Sequence, residues 1–395
     1  MKFGSIIDES QSGFASGQRD PLGVIQLRMN NVDTRGNLVW GEFLRVPADN
    51  ATVDRYRLKP GDVVFNNTNS TELVGKSALF QGHDEPVVYS NHFTRLRVKT
   101  DLVDPGFVTF WLISQWRAKV FENICNRWIG QSAVKNDKLF ELPIPLPPLD
   151  EQRRIAARLN EQMAAVAAAR QAAESQLQAA RVLSAAYLRE VFNSEEAIEW
   201  KQRYIDDFAE TCSGTTPLRS RSDYYGGEIP WVKTGELKDG IIYEAEEHVS
   251  EIALRDTTLR LLPKKTLLIA MYGQGQTRGR TGIIAKPMTI NQACFAIMPN
   301  ERFDPEFLQF WFRHNYSRLR RETEGRGGNQ PNLNGQVLRR QSVGLPEIIK
   351  QKLISTSLRE KLASTDCLQS ILESQLATIN QLPAALLRQA FSGGL

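Results

Sequence analysis

Apolar and polar positions along this chain follow two rhythms, and each rhythm occurs twice. Strand-like spacing marks Val24-Ile25-Gln26-Leu27, Asp62-Val63-Val64-Phe65 and Phe93-Thr94-Arg95-Leu96-Arg97-Val98, the last turning its arginines outward from an apolar face. Helical spacing takes over from Asp104 to Glu122: Asp104 stands at the cap, Pro105 suits the first turn, and Phe107, Phe110, Trp111, Ser114 and Ala118 follow the turn of a helix. Pro143, Pro145, Pro147 and Pro148 then forbid helix and predict an extended strap; a proline-ligand segment is the alternative reading.

From Asp150-Glu151-Gln152 to Phe192 there is neither proline nor glycine. About 40 helical residues would make a rod of roughly 60 Å. Leu159, Val166, Ala173, Ala180 and Tyr187 recur every seventh position, and Met163, Leu177 and Val191 fill a companion row. A second rod over 347–391 carries Leu358, Thr365, Leu372, Ile379 and Leu386, each 199 positions after its counterpart, with Pro383 predicting a kink or short break. Two matched apolar stripes in one chain predict that the rods bury each other, antiparallel because residues 193–199 are too few for a parallel return. The chain divides into segments 1–149, 150–193, 194–346 and 347–395, alternating globule and rod.

The halves are copies. Asp104-Pro105-Gly106-Phe107 with Phe110-Trp111 returns as Asp304-Pro305-Glu306-Phe307 with Phe310-Trp311, and Leu188-Arg189 with Phe192 returns as Leu387-Arg388 with Phe391. Within the globules the run 58–65 matches 262–269, Asn91 falls opposite Asn291, and Gln131 opposite Gln330. The loops 66–76 and 270–280 between these anchors differ, as expected of one scaffold reading two different things. The fold class is α+β: two similar mixed α/β globules and two long helices pairing as an antiparallel coiled coil, with pseudo-two-fold symmetry.

Composition narrows the function. With 41% hydrophobic and 24% charged residues, the chain is ordinary for a soluble globular protein, and no apolar run reaches the about 20 residues of a membrane helix. The N-terminal sequence has no secretory h-region, so a cytoplasmic location is expected. The four cysteines and four histidines are scattered without metal-ligand spacing, which argues against structural zinc, other metals and disulfides. A net charge of +4 permits nucleic-acid binding without demanding it.

No catalytic motif is complete. Gly75-Lys76-Ser77 lacks the earlier glycine of a phosphate loop, and Gly328-Asn329-Gln330-Pro331-Asn332 lacks the double proline of a methyltransferase loop. Asn, Gln, Arg and Lys, the side chains that read base edges, crowd the loops instead. The first globule offers Arg28, Asn30, Asn31, Asn66, Asn67, Asn69, Lys76, Asn91, His92 and Arg95. The second offers Lys233, Thr234, Tyr272, Gln274, Gln276, Arg278, Arg280, Asn291, Gln292, Arg326 and Asn329, with Arg318, Arg320 and Arg321 able to meet phosphate. For each, a side chain that simply meets solvent is the competing reading.

Leu142-Pro143 through Pro148-Leu149, followed by Glu151-Gln152-Arg153-Arg154-Ile155, together with the duplication and the weaker copy around Leu345-Pro346 and Gln351, resembles the specificity subunit of a type I restriction-modification enzyme over the full length. The second copy lacks the acidic residue before Gln351, which leaves that helix start less secure. The resemblance implies two target recognition domains, each reading half of a split double-stranded DNA sequence, and helices that set the half-site separation. It implies two methyltransferase subunits as partners, which bring S-adenosylmethionine and adenine N6 chemistry, and possibly restriction/translocase subunits; this chain would bind no cofactor. Two other classes remain open: a chain with its own methyltransferase activity, and a protein-assembly scaffold.

Overall fold

The computed structural model describes residues 1–273, 275–324 and 333–392. They form two compact units, one of residues 1–174 with 374–395 and the other of residues 175–373. This division differs from the four sequence segments. It cuts both long helices, Leu149–Phe192 and Ile348–Phe391, so that each unit holds one globular module and part of each helix.

In the first unit an antiparallel sheet is ordered Ile7–Ser12, Phe93–Val98, Val63–Asn66, Ser77–Leu79. Its two faces enter different cores. Val63, Phe65, Leu96 and Val98 pack with the helix Pro105–Arg117, whereas Val64, Ala78 and Phe93 pack against a second sheet of Leu44–Val46, Val24–Leu27 and Val87–Tyr89. Because both faces are covered, the arginines of Phe93–Val98 do not reach outward as the alternation suggested. Arg95 is buried against Glu9, and Arg97 bridges Glu9 at 2.6 Å and Asp62 at 2.7 Å.

The second unit repeats this plan strand for strand. Its sheet runs Thr211–Ser213, Cys294–Ile297, Leu267–Ala270, Thr281–Ile284, with Gly240–Ile242 added at the edge. The smaller sheet is Glu247–Val249, Tyr225–Val232 and Thr289–Ile290, again with one antiparallel and one parallel pairing.

Asp104 caps Pro105–Arg117 through a bond from the Phe107 N–H at 2.8 Å. That helix does not continue to Glu122. Lys119 adopts a left-handed conformation (φ 60°), and a new turn, Val120–Ile124, swings the fully buried Phe121 onto Phe65. The counterpart Pro305–Glu324 runs without such a break.

Each long helix is fastened to the cap of the preceding helix by a buried glutamine. Gln152 accepts from the Asp104 N–H (3.0 Å) and donates to the carbonyls of Leu102 (3.1 Å) and Pro147 (2.8 Å). Gln351 accepts from the Asp304 N–H (2.9 Å) and donates to the Pro346 carbonyl (2.8 Å), with a longer contact to Arg302 (3.5 Å). The second helix start is therefore secured by the same device, and the missing acid costs it nothing visible. Of the kink or short break expected at Pro383, the break is absent, since the helix runs unbroken through that residue. Proline removes one backbone bond, while Ile379 and Leu387 on either side stay buried and hold the turns in line.

The helices pair antiparallel within each unit. In the second, the Gln369 amide donates to the Ala180 carbonyl at 3.2 Å, Arg181 meets Glu373 at 3.3 Å, and Lys361 lies 5.0 Å over the Tyr187 ring, so rising numbers on one helix meet falling numbers on the other. Ala180, Leu358, Thr365 and Leu372 are buried there. In the first unit Leu159, Ala173 and Ile379 are buried, and Leu159 and Met163 share a core with Leu386, Leu387 and Phe391. Val166 and Leu386 are only half-buried; Val166 borders a cavity of about 640 Å³ lined also by Asn160, Arg170, Ile379 and Pro383.

Candidate nucleic-acid interface

In both modules the central strand ends in a loop closed by the same pair of backbone bonds. The Asn66 N–H donates to the Lys76 carbonyl and the Gly75 N–H to the Asn66 carbonyl, both at 2.8 Å. The Ala270 N–H donates to the Arg280 carbonyl at 2.9 Å and the Gly279 N–H to the Ala270 carbonyl at 2.8 Å. Gly75 and Gly279 occupy matching left-handed positions (φ 91° and 86°); a Cβ at Gly75 would lie 2.2 Å from the Phe121 ring.

Burial sorts the first module's candidates. Asn31 is enclosed, donating to the Val39 (3.0 Å) and Glu42 (2.7 Å) carbonyls. Asn66 donates to the carbonyls of Thr68 (3.2 Å) and His92 (2.9 Å), and Asn69 donates to the Asn66 side chain at 2.6 Å. Lys76 is buried with its ammonium on the carbonyls of Met29 and Val32, and burial pushes its pKa down. Four of these side chains bond groups of the scaffold, and Arg95, itself buried, pairs with Glu9, so in this structure all five point into the module rather than out of it. Asn67 is half-buried and donates to Thr94 Oγ1 at 2.9 Å.

What faces outward is a smaller group. Asn30 and Asn91 are exposed, with Arg28 and His92 half-buried beside them. Arg28 donates to the Ser16 carbonyl at 3.0 Å. Burial, and then the Arg28 charge, push the His92 imidazole below its usual range, so it stays neutral at pH 7.

In the second module Arg278 is buried, and its backbone carbonyl accepts from Arg320. Arg280 pairs with Asp239 at 2.6 Å. Lys233 bonds Glu247 at 2.8 Å, and Arg219 bonds the same carboxyl at 2.7 Å; these contacts, Arg219 first, pull Glu247 down to about 2. Tyr272, Gln276 and Gln292 are exposed, Thr234 and Asn291 half-buried. Gln274, Arg326 and Asn329 lie outside the described residues. Arg320 does not stand ready for phosphate: it donates to the Gly275 (2.9 Å) and Arg278 (3.1 Å) carbonyls, and with Tyr316, whose hydroxyl donates to the Gln276 carbonyl at 2.7 Å, it braces the loop from below. Arg318 bonds Glu322 at 2.6 Å.

One feature had no sequence signal. Beside the first module's loop stands a hairpin of Asn126–Trp128 and Gln131–Ala133 with Trp128 and Ile129 exposed at its tip. A tryptophan in sequence reads as core. Among the described residues no group of three or more His, Cys, Asp and Glu is placed to hold a metal, and no helix is long and apolar enough to cross a membrane.

Comparison with known proteins matches this two-module pattern. The family model described as type I restriction modification DNA specificity domain matches residues 46–173 and again 197–374. The putative type I restriction enzyme MjaX specificity subunit of Methanocaldococcus jannaschii is 23% identical over 319 residues, covering 78% of this chain and 73% of that one. The type I restriction enzyme EcoKI specificity subunit of Escherichia coli K12 is 23% identical over 391 residues, covering 93% and 82%. Among solved structures, the HsdS subunit from Thermoanaerobacter tengcongensis has a TM-score of 0.66 at 19% identity over 100% of this chain and 96% of that one. A chain from a type I restriction-modification system has 0.71 at 19% identity, over 100% and 97%. At such identity the structural matches speak to fold alone.

Proposed function

Since the chain belongs to the type I restriction-modification DNA specificity family, we propose that it reads a bipartite duplex DNA sequence, one part with each module, on behalf of methyltransferase subunits that modify adenine at N6. It is a specificity subunit, a recognition component and not a catalytic one. The methyl donor, S-adenosylmethionine, would sit on the methyltransferase partners, of which the reading assigns two, and restriction/translocase subunits join them where present. The complex would work in the cytoplasm, where its DNA is.

One observation carries the reading. Two modules share strand order and loop closure, yet the polar side chains left accessible differ: half-buried Asn67 on the first loop, with Asn30, Asn91 and His92 on other segments of that module, against Tyr272 and Gln276 on the second loop. Identical frames with unlike donors and acceptors suit two different base sequences. Methylome sequencing of cells with and without this chain tests it. Adenine methylation at a split motif should appear only when the chain is present. Unchanged methylation, or methyl transfer by the purified chain alone, would refute the reading.

A further inference from the structure

We propose that the hairpin of residues 126–133 is a wedge, and that its Trp128–Ile129 tip inserts between base pairs of the duplex read by the first module. The inference rests on the DNA-reading function above and adds a mode of contact to it.

The hairpin is built to hold apolar groups in water. Gln131 pairs with Trp128 across a two-residue turn, Ile129-Gly130, in which Gly130 has φ 79°. Trp128 is 59% exposed and Ile129 fully so, while Trp111 and Trp231 are buried. The base of the hairpin, by contrast, is fixed. Ser132 is buried and pairs with Asn69, its hydroxyl lies 2.7 Å from Thr71 Oγ1, and the Val134 N–H donates to the Asn67 carbonyl at 2.9 Å. The tip therefore rises as a third strand beside loop 66–76, where half-buried Asn67 stands, with little freedom of its own.

The surroundings favour nucleic acid over protein. The two apolar side chains are flanked by exposed Asn126, Arg127 and Gln131. A specific protein interface buries about 800 Å² per partner, far more than two side chains supply. Apolar wedges flanked by cationic and amide side chains are how proteins unstack and kink a duplex. The corresponding stretch of the second module, Gly325 to Asn332, contains no large apolar residue in its sequence, so the distortion should occur in one half-site only.

The test uses the full chain assembled with its methyltransferase subunits and target duplexes carrying 2-aminopurine at successive steps. Binding should raise fluorescence several-fold at one step in one half-site. Trp128→Ala and Trp128→Ala with Ile129→Ala should abolish that rise and weaken binding by roughly tenfold, the scale of an unstacking contact. The salt dependence should stay unchanged, because no phosphate contact is lost. Trp128→Phe should restore part of both signals, and thermal midpoints should stay close to the wild type, since Trp128 and Ile129 are exposed and belong to none of the buried cores. Wild-type affinity and fluorescence in the alanine variants would overturn the wedge. So would loss of subunit assembly, which would make the tip a protein contact, or a changed salt slope. A wild-type complex that binds no split site would instead bring down the specificity reading, and the wedge with it.

Discussion

Replacing Gln152 by alanine should loosen the first module and leave the second untouched. Gln152 is fully buried and makes three hydrogen bonds, one from the Asp104 N–H and two to the carbonyls of Leu102 and Pro147. Water cannot replace them in place. At about 1 kcal/mol net per bond, losing all three should cost about 3 kcal/mol. That corresponds to roughly a hundredfold faster exchange through local opening. The assay is hydrogen exchange by mass spectrometry on helices Pro105–Arg117 and Pro305–Glu324 of the full chain. Gln152→Ala should accelerate exchange only in the first, and Gln351→Ala only in the second, slightly less because its contact to Arg302 is long. Gln152→Glu adds a sign test. A carboxylate can accept from Asp104 but cannot donate to two carbonyls, so the variant should be worse at pH 7 than at pH 4, where a protonated acid donates once. Exchange within about threefold of wild type in Gln152→Ala, or a Gln152→Glu protein as stable as wild type at pH 7, would refute the clamp.

Lys76→Met leaves the Met29 and Val32 carbonyls without their ammonium and should cost about 1–3 kcal/mol of stability; a salt slope of DNA binding reduced by about 1 would put Lys76 on phosphate instead. Arg320→Ala removes the brace under Gly275 and Arg278, so loop 272–280 should become protease-sensitive and methylation should slow while subunit assembly, followed by size-exclusion chromatography, stays intact. Glu247 has its pKa depressed from 4.5 to about 2 by Arg219 and Lys233, so its stabilisation is full above pH 4.5 and is lost as pH falls towards 2. The thermal-midpoint difference between wild type and Glu247→Gln should therefore be largest near neutrality and vanish by about pH 2.

The long helices were legible because a seven-residue stripe needs only one dimension: Leu159, Ala173, Ala180, Leu358 and Leu372 are buried where their spacing puts them. The duplicated strand order was legible from anchors such as Asn91 and Asn291. The loops were not, and the reason is physical. Asn66, Lys76 and Arg95 look like reading residues, but their partners, the His92 carbonyl, the Met29 and Val32 carbonyls and Glu9, come from distant segments. Sequence shows a polar side chain; only folding shows whether its hydrogen bonds are already used. The stop at Lys119 was invisible for a related reason, since it follows from Phe121 finding Phe65. Trp128 is the opposite case, a large apolar residue left in water with no pattern around it to announce that.

The first module's core also contains Leu387, Ala390 and, beside them, Phe391, whose ring lies 5.3 Å from that of Phe107. On the ribosome, then, the module that is synthesised first is among the last to be finished. Its apolar floor stays open while some two hundred further residues are made, roughly 10–40 s at 5–20 residues per second. Chaperone dependence during translation should accordingly fall on the early-made half, and a stop codon before residue 387 should harm that half more than the one it lies nearer to in sequence.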